Sequence, residues 1–266
     1  MKYFLSLCCI IKDEKYLEEF IIYHHIVGVE HFYIYDNESS IPIKNRLTNP
    51  FFKKLCSIID YPGKIKQIEA YRDCIQKTKK ITDWLMIIDG DEYVLPKQNF
   101  WSIRDILTLH KEAHALGINW IIFGTSFHQK EQKGFLTDKY RYCSKKQDRH
   151  IKTICRPRFV KHIGGPHNVE LFNPKKNIDV KGNIISGPFN LNYTTDIIQI
   201  NHYMLKSHQE AIKKHKRGRA DVNGRISLPK NIKELDNKDN DIIDNYLANK
   251  YLPHIKLIKN KYNLVF

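Results

Sequence analysis

The sequence predicts an α/β fold: a mostly parallel central sheet flanked by helices, with a C-terminal helical appendage. Three observations carry this. Apolar strand-like runs alternate with helix-spaced segments from residue 3 to residue 123. Several of the runs are apolar throughout, as in strands covered on both faces; Trp84 to Ile88 is the clearest. Three of them end in acidic loops, Asp13-Glu14, Asp36-Asn37 and Asp89-Gly90-Asp91. In a parallel sheet these loops share one edge, where open α/β sheets bind ligands.

Taken in order, residues 3–11 read as a central strand. Lys12-Asp13-Glu14 follows where a signal peptide would have a small-residue cleavage site, so the apolar start is assigned to the sheet. Tyr16 to Val27 has helical spacing and Gly28 ends it. Val29 to Tyr35 is a second strand, residues 43–54 a short helix, and Cys56 to Asp60 a third strand. Lys64 to Lys80 is a long helix leading into the strand before Asp89. Residues 101–110 form a further helix and Ile118 to Phe123 a further strand. Beyond Gly124 the pattern loosens: residues 127–195 are polar, punctuated by Gly164-Gly165-Pro166 and Gly187-Pro188. Ile197 to His202 is a late strand, and Ser207 caps a basic helix ending at Lys216. Residues 226–266 read as two short helices joined by a polar stretch. The expected division is a sheet domain over 1–205 and an appendage over 206–266 packed on it.

A chain of 266 residues allows one large α/β domain with a sizeable core. A hydrophobic content of 42% excludes a disordered chain, and no apolar run reaches membrane-span length. The six cysteines show neither CxxC spacing nor a disulfide framework, which suits reduced thiols and a cytoplasmic protein. Formal net charge is +15, with Lys densest from Lys206 to Arg225. That admits nucleic acid, an anionic membrane surface or an anionic glycan as partner. A merely solvated Lys-rich surface would look the same.

Side chains alternate along a strand, so Asp89 and Asp91 point the same way if strand geometry persists past Ile88. Gly90 between them permits close approach of a ligand. Paired carboxylates suit a hard cation, Mg²⁺ or Mn²⁺, here holding the diphosphate of a nucleotide-sugar. An acidic turn after a strand is the plain alternative. The sequence lacks G-x-x-x-x-G-K-[ST] and G-x-G-x-x-G, so phosphate-loop and dinucleotide readings lack their mechanical parts. His202 and Lys206 could serve one diphosphate, the imidazole on the metal and the ammonium on phosphate, with the helix N-terminus at Ser207 adding donors. A His packed at a strand end is the competing account. His167 and Glu170 could act as general base toward an acceptor hydroxyl, or be ordinary loop residues. Arg72 is a phosphate-side candidate. The run from Lys213 to Arg219 is either a solvated face or a seat for a lipid-linked or phosphorylated acceptor.

Lys12-Asp13-Glu14, Tyr16-Leu17-Glu18-Glu19-Phe20, His24-His25, Gly28-Val29 and Phe32 to Ser39 resemble the opening of glycosyltransferase family 92 and related family-2-like proteins. Gln67, Ala70-Tyr71, Cys74, Trp84 with Asp89 to Val94, Phe123 to Ser126, Arg156-Pro157, His167 and His202-Tyr203-x-x-Lys206-Ser207 continue the resemblance in order. It implies a GT-A fold and transfer of a hexose, by analogy galactose, from a UDP-sugar with inversion. It also implies Asp91 and His202 on Mn²⁺ or Mg²⁺, Asp89 on the metal or ribose, and Lys206 on the diphosphate. Lys12, Glu14, Asp36 and Asn37 would meet base and ribose. The acceptor would be an oligosaccharide or glycolipid of lipopolysaccharide or capsule type, reached at the inner face of the membrane; no nucleic-acid partner is expected. Gly90 at the centre of the acidic motif, and the missing anchor and cysteine-bearing stem of secretory members, depart from the family pattern. Two rival classes are a metal-dependent nucleotidyltransferase or phosphodiesterase, and a non-catalytic glycan- or nucleic-acid-binding protein on the same fold.

Overall fold

The computed structural model describes residues 1–218 and 227–266. Arg219 and Arg225 of the basic run lie outside them. Tyr3–Ile11 forms β1, Leu17–Ile26 α1, His31–Asp36 β2, Ile43–Arg46 α2, Pro50–Leu55 α3 and Cys56–Asp60 β3. Gln67–Thr78 forms α4, Thr82–Ile87 β4, Glu92–Pro96 β5, Ile103–Leu109 α5 and Ala115–Ile122 β6. Leu136–Lys139 is α6, Tyr142–Cys143 β7, Ile151–Cys155 β8, Val160–His162 β9, Glu170–Leu171 β10 and Asn177–Ile178 β11. Ile198–His202 is β12, His208–Arg217 α7, Ile242–Ile243 β13 and Tyr246–Lys261 α8.

Among the described residues nine strands make one sheet in the order β3-β2-β1-β4-β8-β6-β12-β5, with β11 beside β6. Strands β3, β2, β1 and β4 are parallel, as are β6 and β12. Strand β8 runs antiparallel between β4 and β6, and β5 antiparallel on β12. Both faces are covered, which is why the central strands are apolar throughout. Leu5, Leu7, Cys9 and Ile11 of β1, with Trp84 and Met86 of β4, face the larger core under α1, α5 and α8. Cys8, Ile10, Leu85 and Ile87 face the smaller core with Tyr71 and Cys74 of α4.

The helix expected over 43–54 is two, because Asn49 and Pro50 start a new one: the Asn49 side chain accepts from Phe51 N at 2.9 Å. The polar stretch 127–195 contains β8, a central strand. The expected two-helix tail is one helix, α8, running through Pro253 after a short 3₁₀ segment at Ile232–Asn237. Helix α8 lies on α1, with Leu247, Tyr251 and Ile255 in the larger core and Tyr251 edge-on to Tyr23 at 5.5 Å. Among the described residues no helix is long and apolar enough to cross a membrane.

Candidate functional site

The carboxyl ends of β1, β2, β4 and β12 and the start of antiparallel β8 meet at one edge. Strand geometry does not persist into the acidic motif. β4 ends at Ile87 and a turn closes with Glu92 N donating to Asp89 O at 3.1 Å. The expectation that Asp89 and Asp91 point alike therefore fails, and the two carboxylates take different partners. Gly90 is also required by packing: a Cβ there would collide with Ile11 Cδ1. Its missing side chain makes room for Ile11 of the core.

Asp89 turns toward α4 and β8. Its Oδ1 accepts from Gln67 Nε2 at 2.6 Å and Tyr71 OH at 2.9 Å, and its Oδ2 from Lys152 Nζ at 2.8 Å. Lys152 is only 1% exposed and also lies 3.7 Å from Glu92 Oε2. Burial, the largest influence, would raise the Asp89 pKa; the charge and hydrogen bond of Lys152, with His202 adding to them, together hold the carboxyl below its ordinary value. Glu92 is pushed well above the usual range, by burial first, and so carries a proton more readily than its neighbours.

Asp91 turns toward β12 and α7. Lys214 Nζ donates to its Oδ2 at 2.5 Å and to Met204 O at 2.9 Å, and His202 Nε2 lies 3.6 Å from its Oδ1. Burial opposes ionisation of Asp91, but Lys214 and its neighbours drive the pKa below the ordinary range. Burial pulls His202 down to about 4, so its ring is neutral at pH 7, and its buried Nδ1 has no hydrogen-bond partner. Lys206 has the left-handed φ of 58°, uncommon for a side-chain-bearing residue, and reaches Glu14 Oε1 at 2.5 Å.

A pocket of about 390 Å³ opens between the β1–α1 loop and α7. Lys15, Lys206, Lys213, Lys214 and Arg217 line it, with Asp13, Glu14, Glu131 and Glu210 among the carboxylates. The run at Lys213 to Arg217 is thus turned into the cleft: Lys214 holds Asp91, Lys213 pairs with Glu131 at 2.5 Å and Arg217 donates to Lys12 O.

The other sequence candidates separate. His167 is brought near: burial, then Lys152, lowers its pKa to about 4, and its ring stands 5.2 Å from Trp120. Glu170 is exposed on β10 opposite His162. Both Asp36 oxygens are used internally, by Ser39 N at 3.0 Å and Ile43 N at 2.8 Å, and Asn37 Nδ2 donates to Tyr61 O and Gly63 O. Lys12 is half-buried, 3.9 Å from Glu38. Arg72 is exposed on α4, where its charge acts on Glu69 and Tyr61. Among the described residues no three His, Cys, Asp or Glu side chains converge as a metal cage. What converges is the pair Asp91–His202. Sequence reasoning missed Lys152, Glu92 and Lys214. No local pattern marks which of 44 Lys and Arg residues are buried.

An α/β sheet with a charged cleft at its carboxyl edge defines the class, and the matching family model is one of glycosyltransferases. Residues 5–223 match the model of glycosyltransferase family 92, and the chain belongs to that family. A glycosyltransferase family 92 protein of Oryza sativa subsp. japonica is 26% identical over 205 residues, 75% of this chain and 33% of that protein. One of Ricinus communis is 26% identical over 91 residues, 34% of this chain and 16% of that protein. The chain thus spans about a third or less of the length of these relatives. Among solved structures, HddC from Yersinia pseudotuberculosis aligns at TM-score 0.38 and 10% identity, covering 67% of this chain and 91% of that one. GalNAc-T7 with UDP, GalNAc and Mn²⁺ aligns at 0.37 and 11%, covering 98% and 58%.

Proposed function

We propose that the chain transfers a hexosyl group from a UDP-sugar to a hydroxyl of an oligosaccharide or glycolipid, with inversion, in surface-glycan synthesis on the cytoplasmic side of a membrane. The observation that carries this reading is that Lys206 and Lys214 line one pocket at the carboxyl edge of the sheet, while Lys214 also pairs with Asp91 at 2.5 Å and His202 lies 3.6 Å from the same carboxylate. Lys206 and Lys214 offer ammonium donors to diphosphate oxygens, where negative charge builds as the sugar departs. Asp91 and His202 would hold Mn²⁺ or Mg²⁺, which when bound supplies Lewis-acid neutralisation of that charge. One carboxylate and one imidazole suffice for such an ion when phosphate and water complete its shell. Asp89, tied to Lys152, Gln67 and Tyr71, positions the turn that carries Asp91. His167 acts as the base. Its Nδ1 lies 3.1 Å from Ile151 O, which can only accept, so Nδ1 carries the proton and Nε2 the lone pair.

The ion pair Lys214–Asp91 favours a second reading, in which the lysine ammonium performs the metal's task. Chelation separates the two: hydrolysis of UDP-sugar that survives EDTA supports the second. The test of both is slow donor hydrolysis across a panel of UDP-sugars with Mn²⁺. One donor should be turned over, and Asp91→Ala should reduce the rate ~10²-fold or more while the protein stays folded. No turnover of any donor would reject the transferase reading.

A further inference from the structure

A second pocket, of about 420 Å³, lies on the same edge of the sheet and is lined by Gln147, Asp148, Arg149, His150, Phe189 and Leu191. Phe189 is 45% and Leu191 65% exposed, so the pocket offers an apolar ring and an aliphatic side chain to solvent side by side. The rest of the wall is planar and polar. His150 Nδ1 is 2.8 Å from Asp148 Oδ1, and Arg149 Nε donates to Tyr193 OH at 3.0 Å.

The wall is built, not draped. Loops 147–150 and 188–191 are laced by Asn190 N to Arg149 O at 2.9 Å and Ile151 N to Pro188 O at 3.2 Å. Beneath them Asn119 and Asn190 are fully buried. Asn119 Nδ2 donates to Asp148 O and Asn190 O, each at 3.2 Å. Asn190 Nδ2 returns a bond to Asn119 Oδ1 at 3.0 Å. Buried amides satisfied this fully hold a surface in one shape.

A row of rings joins this pocket to the carboxylates. Phe189 is 4.8 Å from His150, His150 stacks on Trp120 at 5.1 Å, and Trp120 is 4.4 Å from His202. His167 stands beside the row, 5.0 Å from His150. The indole Nε1 of Trp120 and Nδ1 of His202 are buried in that row without hydrogen-bond partners.

We infer that this pocket is the acceptor subsite and that it takes an oligosaccharide, with a sugar ring stacked on Phe189 and hydroxyls bonded to Asp148, Arg149 and His150. A pyranose has one apolar face of C–H groups and a rim of hydroxyls. An exposed ring beside planar amide, carboxylate and guanidinium groups matches both halves. The inference rests on the transferase reading above only for the word acceptor; glycan binding is a separate property. It also gives His167 its place, between the bound glycan and the donor.

The test is a glycan array of neutral and acidic oligosaccharides. It is probed with wild type, Phe189→Ala, Phe189→Trp and Asp91→Ala. Wild type should bind at least one structure. Phe189→Ala should weaken that signal about ten-fold, equivalent to ~1.4 kcal/mol. Phe189→Trp, which keeps a stacking face, should retain it, and so should Asp91→Ala, whose lesion is at the donor end. An array with no signal, or a signal unchanged in Phe189→Ala, overturns the subsite whatever donor hydrolysis does. Array binding without hydrolysis of any UDP-sugar would instead leave the glycan site standing and reject the donor reading.

Discussion

Lys152 shows what a single residue does here. It is a buried ammonium within reach of two carboxylates, the half-buried Asp89, whose pKa it helps to lower, and the buried Glu92, whose rise it opposes without overcoming burial. Removing one partner of a buried ion pair leaves the other without a counter-charge, at a cost of ~3–5 kcal/mol. Lys152→Met should lose stability of that order in urea denaturation, and Asp89→Asn added to it should restore part of the loss. The sequence could not single this residue out. Ile151-Lys152-Thr153-Ile154-Cys155 has too few apolar residues in series to announce a central strand, and its lysine looks like one of many. His202 was legible because it closes an apolar run and precedes a capped helix. Lys214 was hidden inside a charge run that reads as solvent-facing.

At the scale of elements, α1 and β5 are joined through His24. The residue is fully buried, with Nδ1 2.9 Å from Phe20 O and Nε2 3.3 Å from Val94 N. The carbonyl must accept and the amide must donate, so only the neutral ring fits both. Burial accordingly lowers its pKa to about 3. With the folded value below the unfolded ~6.5, the unfolded chain takes up the proton first. The stabilisation is complete above ~6.5 and is lost, at up to ~1.4 kcal/mol per pH unit, as pH falls toward about 3. Unfolding free energy measured from pH 7 to pH 4 should fall in wild type and fall less in His24→Gln. An equal slope in both would assign the acid sensitivity elsewhere. Elements with a strong period were legible in the sequence: β1, α1, β2, α4, β4 and β12 all stand where expected to within a few residues. Strands β5 and β8 were not. One begins inside the acidic motif, and the other is defined by its neighbours in the sheet rather than by its own composition.

For the whole molecule, the division into a domain over 1–205 and an appendage over 206–266 becomes a proposal about function rather than about folding. Helix α7 brings Lys214 and Arg217 into the cleft, and α8 completes the larger core against α1. Truncation before Tyr246 would uncover Leu247, Tyr251 and Ile255 together with the α1 surface they cover. It should abolish cooperative unfolding, monitored by calorimetry; a truncated chain with an unchanged transition would make α8 an accessory. The parallel half of the sheet was legible in the alternation of strands and helices. In the other half β6 and β12 were expected as strands, but their order with β8 and β5 was not, since it is assembled from segments distant in sequence. The pocket at Phe189 has the same origin: loops 147–150 and 188–191, far apart in sequence, meet over the buried Asn119–Asn190 pair.

The central claim is that Asp91, His202, Lys206 and Lys214 together grip a nucleoside diphosphate. Isothermal titration of UDP into the protein with Mn²⁺ present tests it most directly. Wild type should bind at one site, with Asp91→Ala and Lys206→Met each weakening the affinity about ten-fold or more, ~1.4 kcal/mol or above. UDP binding that is undetectable in wild type, or equally tight in both variants, would contradict the account.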